Sequence, residues 1–328
     1  MPKVLNLVPM IFFERYKISW PEEWNFVTLD KPTDEEFERE IADADAIMIP
    51  AITPLPANVI NAAKQLKLIQ VRGVGFNLVD FKATTDKKIP LANNPGTNSD
   101  AVAEHAIGLI LAGLRHTAPY DEMLKKGQYK EAFALHNRVG ANELTVRNVG
   151  LLGLGTIGRE TAKRLKTFKC KMRYYDMFRQ PESVEKELDV EYVDFDTLIK
   201  ESDVLSIHIP LMPETEKMIS WDQFKAMKNN TLIINTSRGP VIDEEALIDA
   251  LETDKIFGAA LDTFVNEPIL PDDPLINMSP KAMAKLTITP HIAGGNDEAL
   301  IRMMTRSIDN IKRVLDGEAP QNVVNGIK

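Results

Sequence analysis

The sequence contains very little cysteine and no long apolar segment. Cys170 is the only cysteine in 328 residues, so a disulfide within the chain and a thiolate metal cluster are both excluded. No stretch reaches the roughly 18 apolar residues that a membrane span requires. Prolines and charges interrupt the apolar N-terminal segment, and no small-residue cleavage site follows it. These absences predict a cytoplasmic protein that binds no metal.

The sequence also has fewer basic than acidic side chains. The sequence has 39 Lys and Arg residues against 48 Asp and Glu, a formal net charge of -9. Because the basic residues are scattered along the chain, no polybasic surface is expected for nucleic acid or a membrane. The length of 328 residues exceeds the roughly 250 to 300 at which a single core stops growing. Two domains are therefore expected.

What the sequence does contain is a glycine-rich turn between an apolar segment and a helical pattern. Residues 149–158 read VGLLGLGTIG, and residues 159–168 follow with helical spacing. In a dinucleotide-binding turn, Gly153 would make the tight turn, Gly155 would let a pyrophosphate approach the backbone, and Gly158 would let helix and strand pack closely. The helix N-terminus offers free N–H groups to the phosphates.

An acid stands at the expected distance beyond these glycines. The apolar segment 172–175 ends at Asp176, where a carboxylate can bind the ribose hydroxyls. Its charge would repel a 2′-phosphate, so NAD is favoured over NADP. Arg179 lies close by in sequence and leaves NADP as an alternative.

Short apolar segments alternate with helix-like segments throughout the chain. This alternation is typical of parallel α/β sheets. The segments are residues 4–8, 26–29, 46–49, 68–71 and 89–92 before the glycine turn, and 172–175, 204–209, 232–235, 257–261 and 286–289 after it. The first hundred residues form an α/β unit without a dinucleotide fingerprint, and the later strands form a doubly wound sheet. Between them, residues 98–115 have apolar residues at helical spacing, which predicts a buried or subunit-facing helix.

Three side chains follow late strands of this sheet. Arg238 comes after strand 232–235, Glu267 after strand 257–261, and His291 after strand 286–289. Ligands bind outside the carboxyl ends of such strands. Taken singly, each residue has a structural alternative: a surface salt bridge for the arginine, a solvated loop acid for the glutamate, and a packed strand-end position for the histidine.

Together these three residues suit carbonyl reduction. Arg238 could orient and polarise an oxo acid, His291 could exchange the proton on its oxygen, and Glu267 could orient the imidazole. A nicotinamide would supply the hydride.

These segments resemble the NAD-dependent D-isomer-specific 2-hydroxyacid dehydrogenases. The resemblance covers nearly the full chain and rests on GLGTIG, SDVLSIHIPLMPET, NTSRGPVIDEEAL, GAALDTFVNEP and TPHIAG, in that order. In that family the arginine, glutamate and histidine of these motifs are the catalytic set, which corresponds here to Arg238, Glu267 and His291. The family also binds the substrate carboxylate through backbone N–H groups of a turn matching Val74 and Gly75.

The resemblance also implies an architecture. Family members combine a flavodoxin-like catalytic domain, here residues 1–98 with 295–328, and an inserted Rossmann domain, here residues 99–294. The substrate lies in the cleft between the domains. The helix matching VAEHAIGLILAGLR implies the contact of a homodimer. The fold class expected is thus α/β with two doubly wound parallel-sheet domains.

Further cofactor contacts are implied by position in the family. They are Thr156 and Ile157 in the glycine turn, His208, Pro210 and Thr215 after strand 204–209, and Thr236 and Asp262 around the nicotinamide. For His208, a packed strand-end histidine is the alternative interpretation.

The sequence restricts the choice of substrate less than the choice of cofactor. Phosphoglycerate-type members carry an arginine after the third strand, whereas residues 49–54 here contain no basic residue, so a phosphorylated substrate is disfavoured. Formate-oxidising relatives pair the histidine with glutamine, and this chain has Glu267 instead. Apolar aromatics in residues 10–13 suit either a substrate pocket or core packing. A small 2-oxo acid and its D-2-hydroxy acid are the expected pair, with the side chain and the physiological direction open.

A second class of function also fits the motifs. Transcriptional corepressors that sense NAD resemble this family and can retain its catalytic residues. Against this interpretation, the chain lacks the long disordered extensions that would carry partner motifs.

Overall fold

The computed structural model describes residues 1–327 and contains two compact units. Unit 1 comprises Met1–Asn98 together with the segment from Gly295 onward, and unit 2 comprises Ser99–Gly294. Each unit is a parallel sheet covered by helices.

Unit 1 is built on a parallel sheet that has five strands within the described residues, in the order β2-β1-β3-β4-β5. Its first elements are β1 (Lys3–Asn6), α1 (Met10–Tyr16), β2 (Asn25–Thr28), α2 (Asp34–Ile41), β3 (Ala46–Ile49), α3 (Ala57–Ala62), β4 (Leu68–Val71), α4 (Phe81–Asp86) and β5 (Leu91–Ala92). The direction of winding reverses between β1 and β3. In open α/β sheets such a reversal opens a crevice at the carboxyl ends of the strands, where ligands bind.

Unit 2 is built on a larger parallel sheet, with seven strands in the part of the chain described. Its elements are α5 (Ser99–Arg115), α6 (Thr117–Lys125), α7 (Tyr129–Val139), β6 (Asn148–Leu152), α8 (Thr156–Lys166), β7 (Lys171–Tyr175), α9 (Glu182–Leu188), β8 (Val190–Tyr192), α10 (Phe195–Glu201), β9 (Val204–Ile207), α11 (Trp221–Ala226), β10 (Leu232–Asn235), α12 (Glu244–Glu252), β11 (Gly258–Leu261), α13 (Pro280–Met283) and β12 (Leu286–Ile288). The order is β12-β11-β10-β9-β6-β7-β8, so winding reverses between β6 and β9. The last helix, α14 (Asp297–Leu315), returns to unit 1.

Most residues of the central strands of both sheets are apolar, so helices must cover both faces of each sheet. Every residue of β3, β4, β9 and β10 is buried, as expected for parallel strands with helices on both sides. Within unit 1, one apolar cluster includes Leu5 and Ile47, and another includes Val4 and Met48. Successive side chains of a strand point to opposite faces of the sheet, so the two clusters lie on opposite faces.

The predicted fold class is confirmed: both sheets are parallel and doubly wound. Two elements of unit 2 are missing from the sequence prediction. After a helical pattern at residues 118–127, the sequence predicts a polar connection to the glycine turn, but this segment contains α7, which buries only Ala132 and leaves Tyr129 and Phe133 exposed. Because α7 turns little apolar surface toward its own unit, the sequence pattern did not predict it. Strand β8 was missed because it is short and lies at the sheet edge.

None of the helices within residues 1–327 is long and apolar enough to cross a membrane. Cys170 is buried, and burial raises the pKa of its thiol to about 11, so the thiol stays protonated and packs as a small apolar side chain.

Candidate active site

The glycine turn after β6 has the backbone that close approach requires. Gly153 has φ of 97°, and a Cβ on it would lie 2.9 Å from the His208 carbonyl oxygen. A Cβ on Gly158 would overlap the carbonyl oxygen of Gly153. At Gly155, by contrast, a Cβ would meet no atom within 4 Å. Two glycines thus allow the chain to pack against itself, and the third leaves open space at the N-terminus of α8, where a pyrophosphate fits.

This difference yields a prediction for the Gly155→Ala variant. Because the added methyl group meets no protein atom, the variant is expected to keep the thermal unfolding midpoint of the wild type. The same methyl group would occupy the space for the pyrophosphate, so we expect the dissociation constant of NADH to rise about tenfold or more. Fluorescence titration and thermal unfolding of both proteins measure the two quantities. An unchanged NADH affinity would remove Gly155 from the cofactor site.

Asp176 lies at the end of β7, beside the glycine turn. Its Oδ2 accepts a hydrogen bond from the Leu154 amide at 2.8 Å, and its Oδ1 accepts one from the Phe178 amide at 3.2 Å. Arg179, which left NADP open in the sequence, is held by Glu185 through two hydrogen bonds of 2.9 Å. The arginine is therefore committed to an ion pair, and Asp176 supplies the charge beside the glycine turn, which favours NAD. Its contact with the ribose stays a prediction.

The strand order reverses between β6 and β9, and the loop after β9 lies across this point from the glycine turn after β6. His208 contacts the Ser206 hydroxyl through Nε2 at 2.9 Å, and burial lowers the pKa of its imidazole to about 4. Thr215 closes the loop: its hydroxyl donates to the Pro210 carbonyl at 2.7 Å and accepts from the Met212 amide at 2.8 Å. The structure thus brings His208, Pro210 and Thr215 into one loop beside Gly153.

The lowered pKa of His208 predicts a pH dependence of stability. An unfolded histidine has a pKa of about 6.5, so between about pH 6.5 and 4 the unfolded chain binds a proton that the native state does not. The free energy of unfolding should therefore fall as pH drops through this window. The His208→Asn variant is expected to flatten that slope in urea unfolding at several pH values, whereas His136→Asn, which removes an exposed histidine of α7, keeps it. Equal slopes in both variants would contradict the buried neutral imidazole.

Arg238 is presented by a turn that Asn235 organises. The Asn235 amide nitrogen donates to the Arg238 carbonyl at 2.9 Å, and its Oδ1 accepts from the Ser237 amide at 2.9 Å and hydroxyl at 2.8 Å. Burial lowers the pKa of the Arg238 guanidinium, while the charge of Glu267 acts in the opposite direction. Sequence reasoning missed Asn235; an amide at the end of a buried strand is the signal that could have revealed it.

Glu267 and His291 form a close pair at the same edge of the sheet. His291 Nδ1 lies 2.7 Å from Glu267 Oε2, and Glu267 Oε1 accepts from the Phe264 amide at 3.0 Å. Burial raises the pKa of the Glu267 carboxyl, but these hydrogen bonds and the charges of His291 and Arg238 outweigh it, so the pKa lies below its usual value. The carboxylate is thus ionised at neutral pH, and a carboxylate at Nδ1 favours the tautomer with the proton there.

Asp262 holds the backbone on the C-terminal side of His291. Its Oδ1 accepts from the Thr289 hydroxyl at 2.6 Å and the Ile292 amide at 2.9 Å, and its Oδ2 accepts from the Ala293 amide at 2.8 Å. His291 itself has φ of 52°, a left-handed conformation that neighbouring bonds must maintain. Both oxygens of Asp262 therefore position the histidine loop, and the contact to nicotinamide expected for Asp262 stays a prediction.

A histidine that sequence reasoning did not single out joins this network. His105 of α5 places Nε2 2.9 Å from the Thr289 hydroxyl and 3.5 Å from Asp262 Oδ1. The first helix of unit 2 is thereby connected to the loop that carries His291. Thr236, predicted near the nicotinamide, has a buried hydroxyl without a hydrogen-bond partner among residues 1–327, so this hydroxyl is available to a ligand.

In unit 1, Val74 and Gly75 lie in the turn after β4. The hydrogen bonds of this turn go through carbonyl oxygens: Val74 O accepts from Asn93 Nδ2 at 2.6 Å, and Gly73 O accepts from the Asn94 amide at 2.9 Å. Binding of the substrate carboxylate by the N–H groups of this turn, which the family resemblance implies, stays a prediction.

Of the two interpretations given to residues 10–13, core packing holds for Phe13, and the substrate pocket stays a prediction. Phe13 is buried and packs edge-to-face against Trp20 and Phe26, with ring centroids 5.4 and 5.7 Å away. It is therefore a core residue. Phe12 is half-buried, and its ring faces the Arg72 guanidinium.

Comparison with known proteins places this geometry in a family. The model of the "D-isomer specific 2-hydroxyacid dehydrogenase, NAD binding domain" matches residues 107–293. A glyoxylate reductase of Thermofilum pendens is 40% identical over 90% of this chain and 85% of its own length. A hydroxypyruvate reductase of Thermotoga maritima is 36% identical over 88% of this chain and 90% of its own. The holo structure of Rhodotorula graminis D-mandelate dehydrogenase superimposes with a TM-score of 0.87 at 27% identity, covering 100% of this chain and 98% of that one.

The chain therefore belongs to the D-isomer-specific 2-hydroxyacid dehydrogenases, which are NAD-dependent enzymes. The glycine turn, the open space at Gly155 and the carboxylate of Asp176 fit NAD.

Proposed function

We propose that this protein reduces a small 2-oxo acid to the D-2-hydroxy acid with NADH, and that His291 exchanges the proton on the substrate oxygen. The observation that carries the proposal is the 2.7 Å contact between His291 Nδ1 and Glu267 Oε2, near the charge of Arg238. Glyoxylate and hydroxypyruvate are the first candidate substrates, because similar proteins are named for their reduction.

The cofactor would be held by the glycine turn from Gly153 to Gly158, by Asp176 at the ribose, and by the His208–Thr215 loop and Thr236. When bound, NADH would supply the hydride that reduces C2 of the substrate. The chain itself has to orient the oxo acid, place a proton donor beside its oxygen and stabilise the charge that develops there.

The proton step follows from the contacts of His291. Glu267 occupies Nδ1, so Nε2 is the nitrogen that donates to the substrate oxygen during reduction and accepts the proton during oxidation. The ionised Glu267 carboxylate stabilises the imidazolium before the transfer. Arg238 stays charged at neutral pH despite its burial and polarises the oxo group.

The resemblance and the site together support several finer proposals. The part from Met1 to Asn98 with the C-terminal segment serves as the substrate domain, with Val74 and Gly75 at the substrate carboxylate. Residues 99–294 serve as the dinucleotide domain. We also propose a homodimer in contact through α5, and a cytoplasmic location.

Turnover with a panel of 2-oxo acids tests the proposal. Purified protein is mixed with NADH and, in parallel, glyoxylate, hydroxypyruvate, pyruvate, phenylpyruvate or 2-oxoisocaproate, and the loss of NADH absorbance is followed. We expect turnover with at least one acid and a lower rate with NADPH. NADH binding without turnover of any acid would contradict the enzyme and favour an NAD-sensing protein.

A further inference from the structure

Arg72 carries a partly buried positive charge that the mechanism above does not use. It follows β4 directly, and its Nε and Nη1 atoms are buried without a hydrogen-bond partner among residues 1–327. Burial lowers the pKa of its guanidinium to about 10, so the group remains charged at neutral pH. A buried charge without an acceptor is costly, and buried arginines in proteins are normally paired.

This guanidinium lies near the point where the strand order of unit 1 reverses. Its central carbon lies 5.3 Å from the centroid of the Phe12 ring. Phe12 belongs to the helix after β1, whereas Arg72 follows β4, so the contact passes over the carboxyl end of β3. The winding of the sheet reverses between β1 and β3, which is where parallel sheets bind ligands.

Asp297, the acidic residue that contacts Tyr16 of α1, already has hydrogen-bond partners. Asp297 accepts from the Tyr16 hydroxyl at 2.7 Å and from Arg15 Nη2 at 3.0 Å. Tyr16 stacks on Phe12, with centroids 6.3 Å apart. The Phe12 ring therefore covers one side of the Arg72 guanidinium without neutralising it.

We propose that Arg72 binds the carboxylate of the 2-oxo acid, as the charged partner of the Val74–Gly75 turn that begins two residues later. This inference rests on the proposed function and deepens it: the substrate's carboxylate supplies the acceptor that the buried guanidinium lacks. Arg72 then supplies the positive charge that binds the carboxylate. Sequence reasoning assigned the carboxylate to backbone N–H groups and looked for a basic side chain only as a phosphate contact after the third strand, so it did not consider Arg72, which follows the fourth.

Two substitutions at Arg72 and one control test the proposal. Arg72→Met keeps an unbranched side chain against Phe12 and removes the charge; Arg72→Lys keeps the charge. Arg15→Met is the matched control, because Arg15 contacts the neighbouring ring of Tyr16 but is exposed and paired with Asp297. We expect Arg72→Met to raise KM for glyoxylate and hydroxypyruvate about 10- to 100-fold, the range for losing a hydrogen bond to a charged group. Arg72→Lys should fall between it and the wild type, and Arg15→Met should stay within about twofold of wild type.

A thermal measurement separates this role from a structural one. With saturating NADH, the unreactive carboxylate oxamate should raise the Tm of the wild type and leave that of Arg72→Met unchanged. Without oxamate, Arg72→Met should unfold no earlier than the wild type, because the substitution removes an uncompensated charge.

Two results would overturn the proposal. One is an unchanged KM together with a lowered Tm of Arg72→Met, which would make the contact with Phe12 structural. The other is a KM effect confined to 2-oxoglutarate with glyoxylate and hydroxypyruvate unaffected, which would assign Arg72 to a second acidic group of the substrate. The oxamate measurement needs no turnover, so it decides the role of Arg72 even if the wild type reduces no 2-oxo acid and the proposed function fails.

Discussion

Replacing His291 with asparagine is expected to lower kcat about 100- to 10,000-fold, the usual contribution of a general acid, while the dissociation constant of NADH stays unchanged. Asparagine offers no proton of suitable pKa at the position of Nε2. The cofactor contacts proposed here lie at the glycine turn, Asp176 and the His208 loop, and none of them involves the imidazole. Steady-state kinetics with the preferred oxo acid and fluorescence titration with NADH measure the two quantities.

Two further variants separate proton transfer from a general loss of structure. Glu267→Gln keeps the size of the side chain but removes the charge that stabilises the imidazolium, so its kcat should fall less than that of His291→Asn. His136→Asn removes an exposed histidine of α7 and should leave kcat unaltered. Near wild-type turnover of His291→Asn would assign the proton donor to another group.

Replacing Gly239 with alanine is expected to destabilise the protein and to reduce turnover about 100-fold in the fraction that remains folded. A Cβ at Gly239 would overlap the backbone carbonyl of Phe264, and neither backbone segment can yield without moving its neighbours. Gly239 follows Arg238, and Phe264 donates its amide to Glu267. The overlap therefore displaces the guanidinium and the carboxylate together, and shifts of about 1 Å can cost about 100-fold in rate.

The expected loss of stability in Gly239→Ala can be given a size and compared with a control variant. Overpacking in a close contact typically costs about 1 to 3 kcal/mol, so urea unfolding of Gly239→Ala should give a free energy of unfolding lower by that amount. Gly155→Ala adds the same methyl group in open space and should unfold like the wild type. Equal stability of the two variants would show that the Phe264 segment yields freely.

Much of the fold was predictable because its signals are local. An apolar strand followed by glycines and a helix specifies the turn after β6, and acids after Thr33 specify the start of α2, where the Thr33 hydroxyl accepts from the Glu36 amide at 3.2 Å. Parallel strands present their carboxyl ends at one edge, so strand order alone indicated that Arg238, Glu267 and His291 share that edge.

The remaining features depend on contacts between distant parts of the chain. Both oxygens of Asp262 hold the loop of His291, thirty residues away, a role that the sequence did not indicate. His105 joins that loop from α5, and Arg72 meets Phe12 across another strand. Neither composition nor spacing reports which buried polar group lacks a partner, since that depends on the completed tertiary structure.

The most direct test of the central claim follows the transferred hydrogen into the product. NADH deuterated at the transferable position of its nicotinamide is incubated with the protein and the oxo acid that turns over fastest, and the product is analysed by mass spectrometry and chiral chromatography. The account predicts a D-2-hydroxy acid with deuterium bound at C2. A product without deuterium at C2, or one of L configuration, would contradict it.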